Sequence, residues 1–290
     1  MAKRIGNDRN NYLNGGGAND LIKGLGGDDV LLGNGGNDRI YGGDGVDELD
    51  GGKGNDRLFG DAGNDIMLVS SGDDMIDGGS GVNVLNFRNA NRGITVSLAD
   101  QTVSFSDSTG SGTTQFKNVA ILQGGSFDDV MTGDASRNML RGSYGDDTLS
   151  GGDGNDYVFG GDGQETLTGG NGKDGFLFGA VVNADNFDQV TDFTVGEDWL
   201  AFDNLIFEDL KAEPGSTKRV YVEIVSRNID VDQFQAGEGH VAATADVRII
   251  YDSADGILYY DADGSGAGEA QAIADIGVNH VLTAEDIFVF

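Results

Sequence analysis

The chain of 290 residues contains no cysteine and only two histidines, and its 18 Lys and Arg stand against 49 Asp and Glu, a formal charge of −31. Without cysteine there is no disulfide framework to hold a fold, and redox state says nothing about compartment. His240 and His280 are isolated from one another, so no H-E-x-x-H zinc site can be drawn, and no G-x-S-x-G nucleophile elbow occurs. The acidic excess argues against nucleic acid as a partner and opposes compaction unless counter-ions neutralise it. No apolar run reaches transmembrane length. The N-terminal stretch MAKRIGNDRNNYLNGGG has basic residues but lacks the apolar core of an N-terminal signal peptide. The chain therefore reads as non-enzymatic, with no transmembrane segment.

What it has in abundance is glycine, 50 residues, and the glycines are phased. GGKGNDRLF (Gly51–Phe59) follows GGDGVDELD (Gly42–Asp50) and precedes GDAGNDIML (Gly60–Leu68), each beginning where the last stops. This period of nine runs from Gly6 to Asn86, lapses, and resumes from Gly124 (GGSFDDVMT) to Leu177 (GGNGKDGFL). Glycine at positions one to four lets the backbone turn tightly through positive φ. Positions seven to nine alternate around one apolar residue at position eight, for instance Ile22, Leu31, Ile40, Leu49 and Leu58, which makes a minimal strand with one inward side chain.

This phased G-G-x-G-x-D-x-U-x pattern resembles the calcium-binding nonapeptide of RTX (repeats-in-toxin, hemolysin-type) proteins. The resemblance implies an all-β fold, a calcium-stabilised parallel β-roll (a right-handed β-solenoid), in which two nonapeptides make one coil. Coils stack about 4.8 Å apart, and Ca²⁺ with oxygen ligands at about 2.3–2.6 Å fits between two of them. The implied metal ligands are the position-six carboxylates Asp20, Asp29, Asp38, Asp47, Asp56, Asp65, Asp74, Asp129, Asp147, Asp156 and Asp174. Backbone carbonyls of Gly33, Gly35, Asn37, Gly42, Asp44, Gly51, Lys53, Asn55, Gly60, Ala62, Asn64, Gly151, Asp153 and Asn155 are expected to complete the shells. Asp20, Asp38, Asp56 and Asp74 fall on one edge of the roll, and Asp29, Asp47 and Asp65 with Asn83 on the other.

Four segments follow: residues 6–86 as the first roll block, 87–123 as a β connector that continues the coil, 124–177 as the second block and 178–290 as a β-rich cap. Within the connector, Asp107 to Gln115 reads as a polar bulge. In the cap, RIIYDSADGILYYDADGSGAG reads as strand, turn, strand, turn. Asp261 and Asp263 there occupy positions one and three of an EF-hand-like loop and form a further metal candidate. Position twelve is Ala272, however, without the bidentate Glu such a loop needs. The last residues, Asp286, Ile287, Phe288, Val289 and Phe290, resemble the uncleaved C-terminal signal read by a type I secretion channel, which implies an extracellular protein.

Outward positions of the first block place Arg39, Tyr41, Arg57 and Phe59 on one face, a basic and aromatic patch suited to an acidic polysaccharide. The expected function is a secreted, non-catalytic protein that folds on calcium outside the cell and acts as a binding module. Two alternatives stand beside it: the export half of a larger secreted enzyme, or a membrane-acting RTX protein.

Overall fold

The structure, a computed structural model, describes residues 3–183, 185–207, 210, 218–220 and 224–290. Met1 and Ala2 of the N-terminal stretch, and 184, 208–209, 211–217 and 221–223 of the cap, lie outside the described residues. The chain divides into two compact units, Met1–Asp134 and Ala135–Phe290.

In the first unit, alternate nonapeptides feed two parallel sheets. One holds Lys3–Ile5, Leu21–Gly26, Arg39–Asp44, Arg57–Ala62 and Met75–Asp77; the other holds Tyr12–Gly16, Val30–Asn34, Glu48–Asp50, Ile66–Leu68, Val84–Asn86 and Ile121–Gln123. Register keeps position eight on position eight: Ile22 pairs with Ile40, Ile40 with Leu58 and Leu58 with Ile76. Leu31, Leu49, Met67 and Leu85 do the same on the opposite sheet. These side chains are at most 1% exposed, and each stabilises the fold by about 1.5–3 kcal/mol through burial. The result is a parallel β-solenoid whose core is one side chain thick per repeat.

Strands run further into the glycines than the pattern suggests, since Gly43 and Asp44 still pair with Asp61 and Ala62. The turn is thereby confined to positions four to six. Gly45 shows why glycine is needed there: its φ is 138°, and a Cβ would strike the Gly27 carbonyl of the preceding coil.

The connector continues the coil in one sheet only, where Val84–Asn86 pairs directly with Ile121–Gln123. In the other sheet, Thr95–Ser97, Thr102–Ser106 and Ser111–Lys117 form an antiparallel meander, and Gln115 to Lys117 lie parallel beside Met75–Asp77. The expected bulge is thus a turn at residues 107–110 followed by a strand. Alternation explains it: Val103, Phe105, Thr114 and Phe116 all face inward and are buried, while Asp107 Oδ1 accepts the Thr109 and Gly110 amides at 2.6 and 3.0 Å to form the turn.

In the second unit, Met139–Tyr144, Tyr157–Asp162, Gly175–Phe178, Trp199–Phe202 and Ile287–Val289 build one parallel run. Thr148–Asp153, Thr166–Asn171, Asp188–Val190 and Gln271–Asp275 build the other. The hairpin read from sequence is present, with Ile249–Asp252 antiparallel to Ile257–Tyr260. Aromatic side chains thicken the core: Trp199 packs edge-on against Tyr157 and Phe288, and Phe202 stacks with Phe178 and meets Phe207.

Candidate metal centre

Each position-six aspartate of the first block sits where turn becomes strand, and its side chain turns inward beneath the neighbouring coil. Oδ1 is used structurally. The Asp38 carboxylate accepts the Asp20 amide at 2.6 Å, Asp56 accepts Asp38 at 2.6 Å and Asp74 accepts Asp56 at 2.8 Å. On the other edge Asp29, Asp47 and Asp65 accept the amides of Asn11, Asp29 and Asp47, so both edges group the acids as the spacing required.

Oδ2 is the telling atom. In Asp29, Asp38, Asp47, Asp56 and Asp65 it is buried with no hydrogen-bond partner among the described residues. A buried acceptor without a donor costs about 1–3 kcal/mol, and more when charged. The position-one glycines mark the space around it: a Cβ on Gly33 would meet both Asp38 Oδ2 and the Gly51 carbonyl oxygen, and one on Gly42 both Asp47 Oδ2 and the Gly60 carbonyl oxygen. A carboxylate oxygen without a donor that faces a carbonyl oxygen fits a hard divalent cation, and oxygen donors of this kind suit Ca²⁺. Among the described residues no three acidic or histidine side chains converge on one point, so an ion there would rest on a carboxylate and backbone oxygens.

Burial pushes Asp47 and Asp56 up to about 6 and Asp65 and Asp74 up to about 7; the amide each accepts works against the rise, and the carboxylate one coil away adds to it. Asp29, Asp38 and Asp174 are raised for the same leading reason. Burial and the neighbouring carboxylates together disfavour the charged form of these acids, which a proton or a cation would relieve.

The carbonyls assigned from sequence divide. Those at position one, Gly33, Gly42, Gly51 and Gly60, lie beside Oδ2 atoms. At position three, Lys53 and Ala62 already accept the Gly36 and Gly45 amides of the preceding coil. At position five, the side chains carry a second ladder that the sequence reading missed: Asn37 gives its amide to Asn19 Oδ1 at 2.9 Å, and Asn55 gives its amide to Asn37 Oδ1 at 3.1 Å. Asn64 and Asn155 accept Val82 and Lys173 amides in the same way.

Asp129 differs from the repeat acids because both its oxygens are taken, Oδ1 by the Ile94 amide and Oδ2 by Gly125, each at 2.9 Å. In the second unit Asp156 accepts the Asn138 amide and Asp174 the Asp156 amide; Asp147 lies beside Gly142, and Asp156 beside Gly151. Two further acids join these ladders. Asp188 accepts the Glu165 amide at 3.3 Å, and Asp198 accepts those of Asp174 at 2.9 Å and Thr194 at 2.8 Å. Their signal was present as D-x-U, Asp188-Gln189-Val190 and Asp198-Trp199-Leu200; Asp188 has none of the glycines that usually precede it and Asp198 keeps only Gly196, at position four. Glu165 takes position six on the Asp188 edge; burial raises it, and the carboxyl of Asp188 beside it raises it further.

Asp261 and Asp263 lie in the loop between antiparallel strands Ile257–Tyr260 and Gln271–Asp275. Asp261 Oδ1 accepts the Asp263 amide at 3.2 Å and Asp263 Oδ2 the Gly268 amide at 3.0 Å, while Ala272 stands in the sheet opposite Tyr259. On the first unit, Arg39 pairs with Arg57 and Tyr41 with Phe59 in register. The two rings stack at 4.9 Å, with Lys23 Nζ 4.7 Å from the Tyr41 ring centre, and both arginines are exposed. At the C-terminus, Asp286 caps a short turn through Thr283, and Ile287, Phe288 and Val289 form a buried strand.

A family model for the RTX calcium-binding nonapeptide repeat (4 copies) matches residues 5–40, 32–67, 41–76, 54–85, 121–143 and 141–176. Among solved structures, a crystal structure of the extracellular lipase LipA from Serratia marcescens is similar at 18% identity and a TM-score of 0.29, over 98% of this chain and 39% of that one. The chain thus spans well under half the length of that lipase. No curated protein matches the sequence. No helix among the described residues is long and apolar enough to cross a membrane.

Proposed function

Because residues 5–85 and 121–176 are RTX calcium-binding nonapeptide repeats, we propose that this chain is a secreted, non-catalytic module whose β-roll folds outside the cell when calcium is supplied, and which then engages an acidic polysaccharide. One observation carries the first part: five buried Oδ2 atoms without a donor, on two edges of the first unit. A bound ion supplies the positive charge those oxygens lack. Asp29, Asp38, Asp47, Asp56 and Asp65, with the position-one carbonyls, would hold it. Their Oδ1 atoms fasten coil to coil, so the residues that would bind the ion also set the register of the sheets.

Sites of the affinity typical of extracellular modules, about 10⁻⁴–10⁻³ M, stay empty in a cytosol. The chain would therefore travel unfolded, and the C-terminal strand fits that order: Phe288 is buried against Trp199 once the second unit has formed, so Asp286 to Phe290 are legible to a channel only beforehand. The polysaccharide reading rests on Arg39 and Arg57, side by side and exposed, above the stacked Tyr41 and Phe59 rings. Circular dichroism during calcium addition to chelator-treated protein tests the folding claim. A cooperative gain of β signal is expected, and a full β spectrum before calcium would overturn it. The double variant Arg39→Ala, Arg57→Ala should weaken binding to an acidic glycan and flatten its salt dependence; unchanged affinity would remove the polysaccharide from the proposal.

A further inference from the structure

One edge of the first unit does not end the way it runs. At Asp29, Asp47 and Asp65 the partnerless Oδ2 lies with a carbonyl oxygen of the following coil, that of Gly42, Gly60 and Gly78 in turn, around the Cα of Gly24, Gly42 and Gly60. Two acceptors meet there, and Oδ2 has no donor among the described residues. One coil further the position is Asn83, wholly buried. Its Oδ1 accepts the Asp65 amide at 2.9 Å, which keeps the ladder, and its Nδ2 donates to the Asn118 carbonyl at 3.0 Å. That nitrogen and that carbonyl flank the Cα of Gly78 as Oδ2 and carbonyl flank the earlier glycines. The orientation of the amide is fixed by its partners, since an N–H faces one end and a carbonyl the other. An acceptor has been exchanged for a donor at constant shape.

The opposite edge changes in the same coil. Position one there is Gly15, Gly33 and Gly51, and then Val69, which is fully buried. The Oδ2 of Asp74, unlike those of Asp38 and Asp56, has a hydroxyl partner, Ser70 Oγ at 3.5 Å. Both edges lose the donorless oxygen pair together.

We infer that position six of the coil of residues 69–86, Asp74 on one edge and Asn83 on the other, holds no calcium, so that this coil lends at most the Gly78 carbonyl to the last ion and closes the array of the first unit on both edges, the Asn83 amide joining coil to coil where the preceding coils need a cation. This rests on the calcium reading above. The array then ends at Asp56 on one edge and Asp65 on the other, and the polar contacts of the coil beyond are made by hydrogen bonds rather than through ions.

Calcium bound per full-length chain, counted by equilibrium dialysis against Ca²⁺ alone with circular dichroism as a check of folding, tests it. Asp65→Asn should bind one ion fewer than the unaltered chain and keep more β signal in chelator, because a second amide replaces an ion. Asn83→Asp should bind one ion more and need more calcium to fold. An Asp65→Asn chain with the unaltered count overturns the inference, as does a folded Asn83→Asp chain with that count. If Asn83→Asp does not fold at any calcium concentration, the Asp65→Asn count decides. Should the unaltered chain itself bind no calcium, every count is zero and the calcium reading fails along with this one.

Discussion

Across the repeats of the first unit, each step of the position-six ladder spans 18 residues; in the second unit the last steps span 23 and 24. The longer coils have lost the glycine-rich turn, yet Asp188 and Asp198 still receive the amides of Glu165 and Asp174. Glycine and aspartate therefore do separable work. Glycine shortens the turn and opens room beside Oδ2, whereas the D-x-U triplet places a carboxylate under the preceding coil and an apolar side chain in the core. Where Oδ2 is left without a partner both occur, and where the core is aromatic the triplet suffices. The first unit stacks its carboxylates over a thin aliphatic core, and the second adds Trp199, Phe202, Phe207 and Phe288.

Calcium withdrawal should separate the two units most. The chain has a single tryptophan, Trp199, which reports on the second unit. As free calcium is lowered, the β signal in circular dichroism should fall substantially before Trp199 fluorescence shifts to that of an exposed indole. Coincident curves at every calcium concentration would break the distinction.

Next in size are single carboxylates. Asp56→Ala removes an acceptor of the Asp38 amide and an Oδ2 without a protein partner, so it should lower the melting temperature strongly in calcium and little in chelator. Replacing the terminal Asp20 should do less. Asp198→Ala strips the acceptors of the Asp174 and Thr194 amides, at about 1–3 kcal/mol each. Both Asp198 oxygens are already engaged by amides, so that loss should be the same with and without calcium. A calcium-dependent loss at Asp198 would place it among the ion ligands.

The effect of pH is smaller and has a definite sign. Asp47 and Asp56 are pushed up to about 6, and Asp65 and Asp74 to about 7, from the ordinary value of 3.8. A carboxyl raised in the folded state binds protons more tightly there than in the unfolded chain. Its contribution is full below about pH 4 and is lost as pH rises through 6 to 7. Calcium-free protein should thus hold more β structure at pH 4.5 than at pH 8, with protons standing in for the ion. The reverse trend, followed by circular dichroism, would contradict the burial of these groups. Smallest is Asn37→Ala, which leaves the Asn55 amide to water and should lower the unfolding free energy read from a urea titration by about 1 kcal/mol or less.

The sequence makes the coil legible because its pattern is a count. Period nine places Ile22, Leu31, Ile40 and Leu49 in the core and sorts the acids by edge, and the structure has both. It fails where register is kept by bonding. The meander of Thr102–Ser106 and Ser111–Lys117 adds residues to one sheet without disturbing the other, and nothing in a nonapeptide count foretells that. Asp188 and Asp198 lie at the ends of longer loops, so they fall out of phase while remaining in the ladder. The asparagine ladder was hidden for another reason: a polar residue in a glycine-rich turn has many plausible uses, and only the neighbouring coil shows that Asn19, Asn37 and Asn55 accept its amides.

The strand Ile287–Val289 has a kinetic consequence. It is hydrogen-bonded to Trp199–Phe202 on one side and Ile224–Asn228 on the other, with Leu200 opposite Ile287. Neighbouring coils close loops of 18 residues, whereas this pairing closes one of roughly 90, an added entropy of closure of only about 1.4 kcal/mol on logarithmic scaling. Distance along the chain nevertheless slows a search more than it weakens the product. The coils are expected to zip first and this strand to dock last, so the interval between the two events, rather than final stability, sets how long the C-terminal residues stay accessible after folding begins.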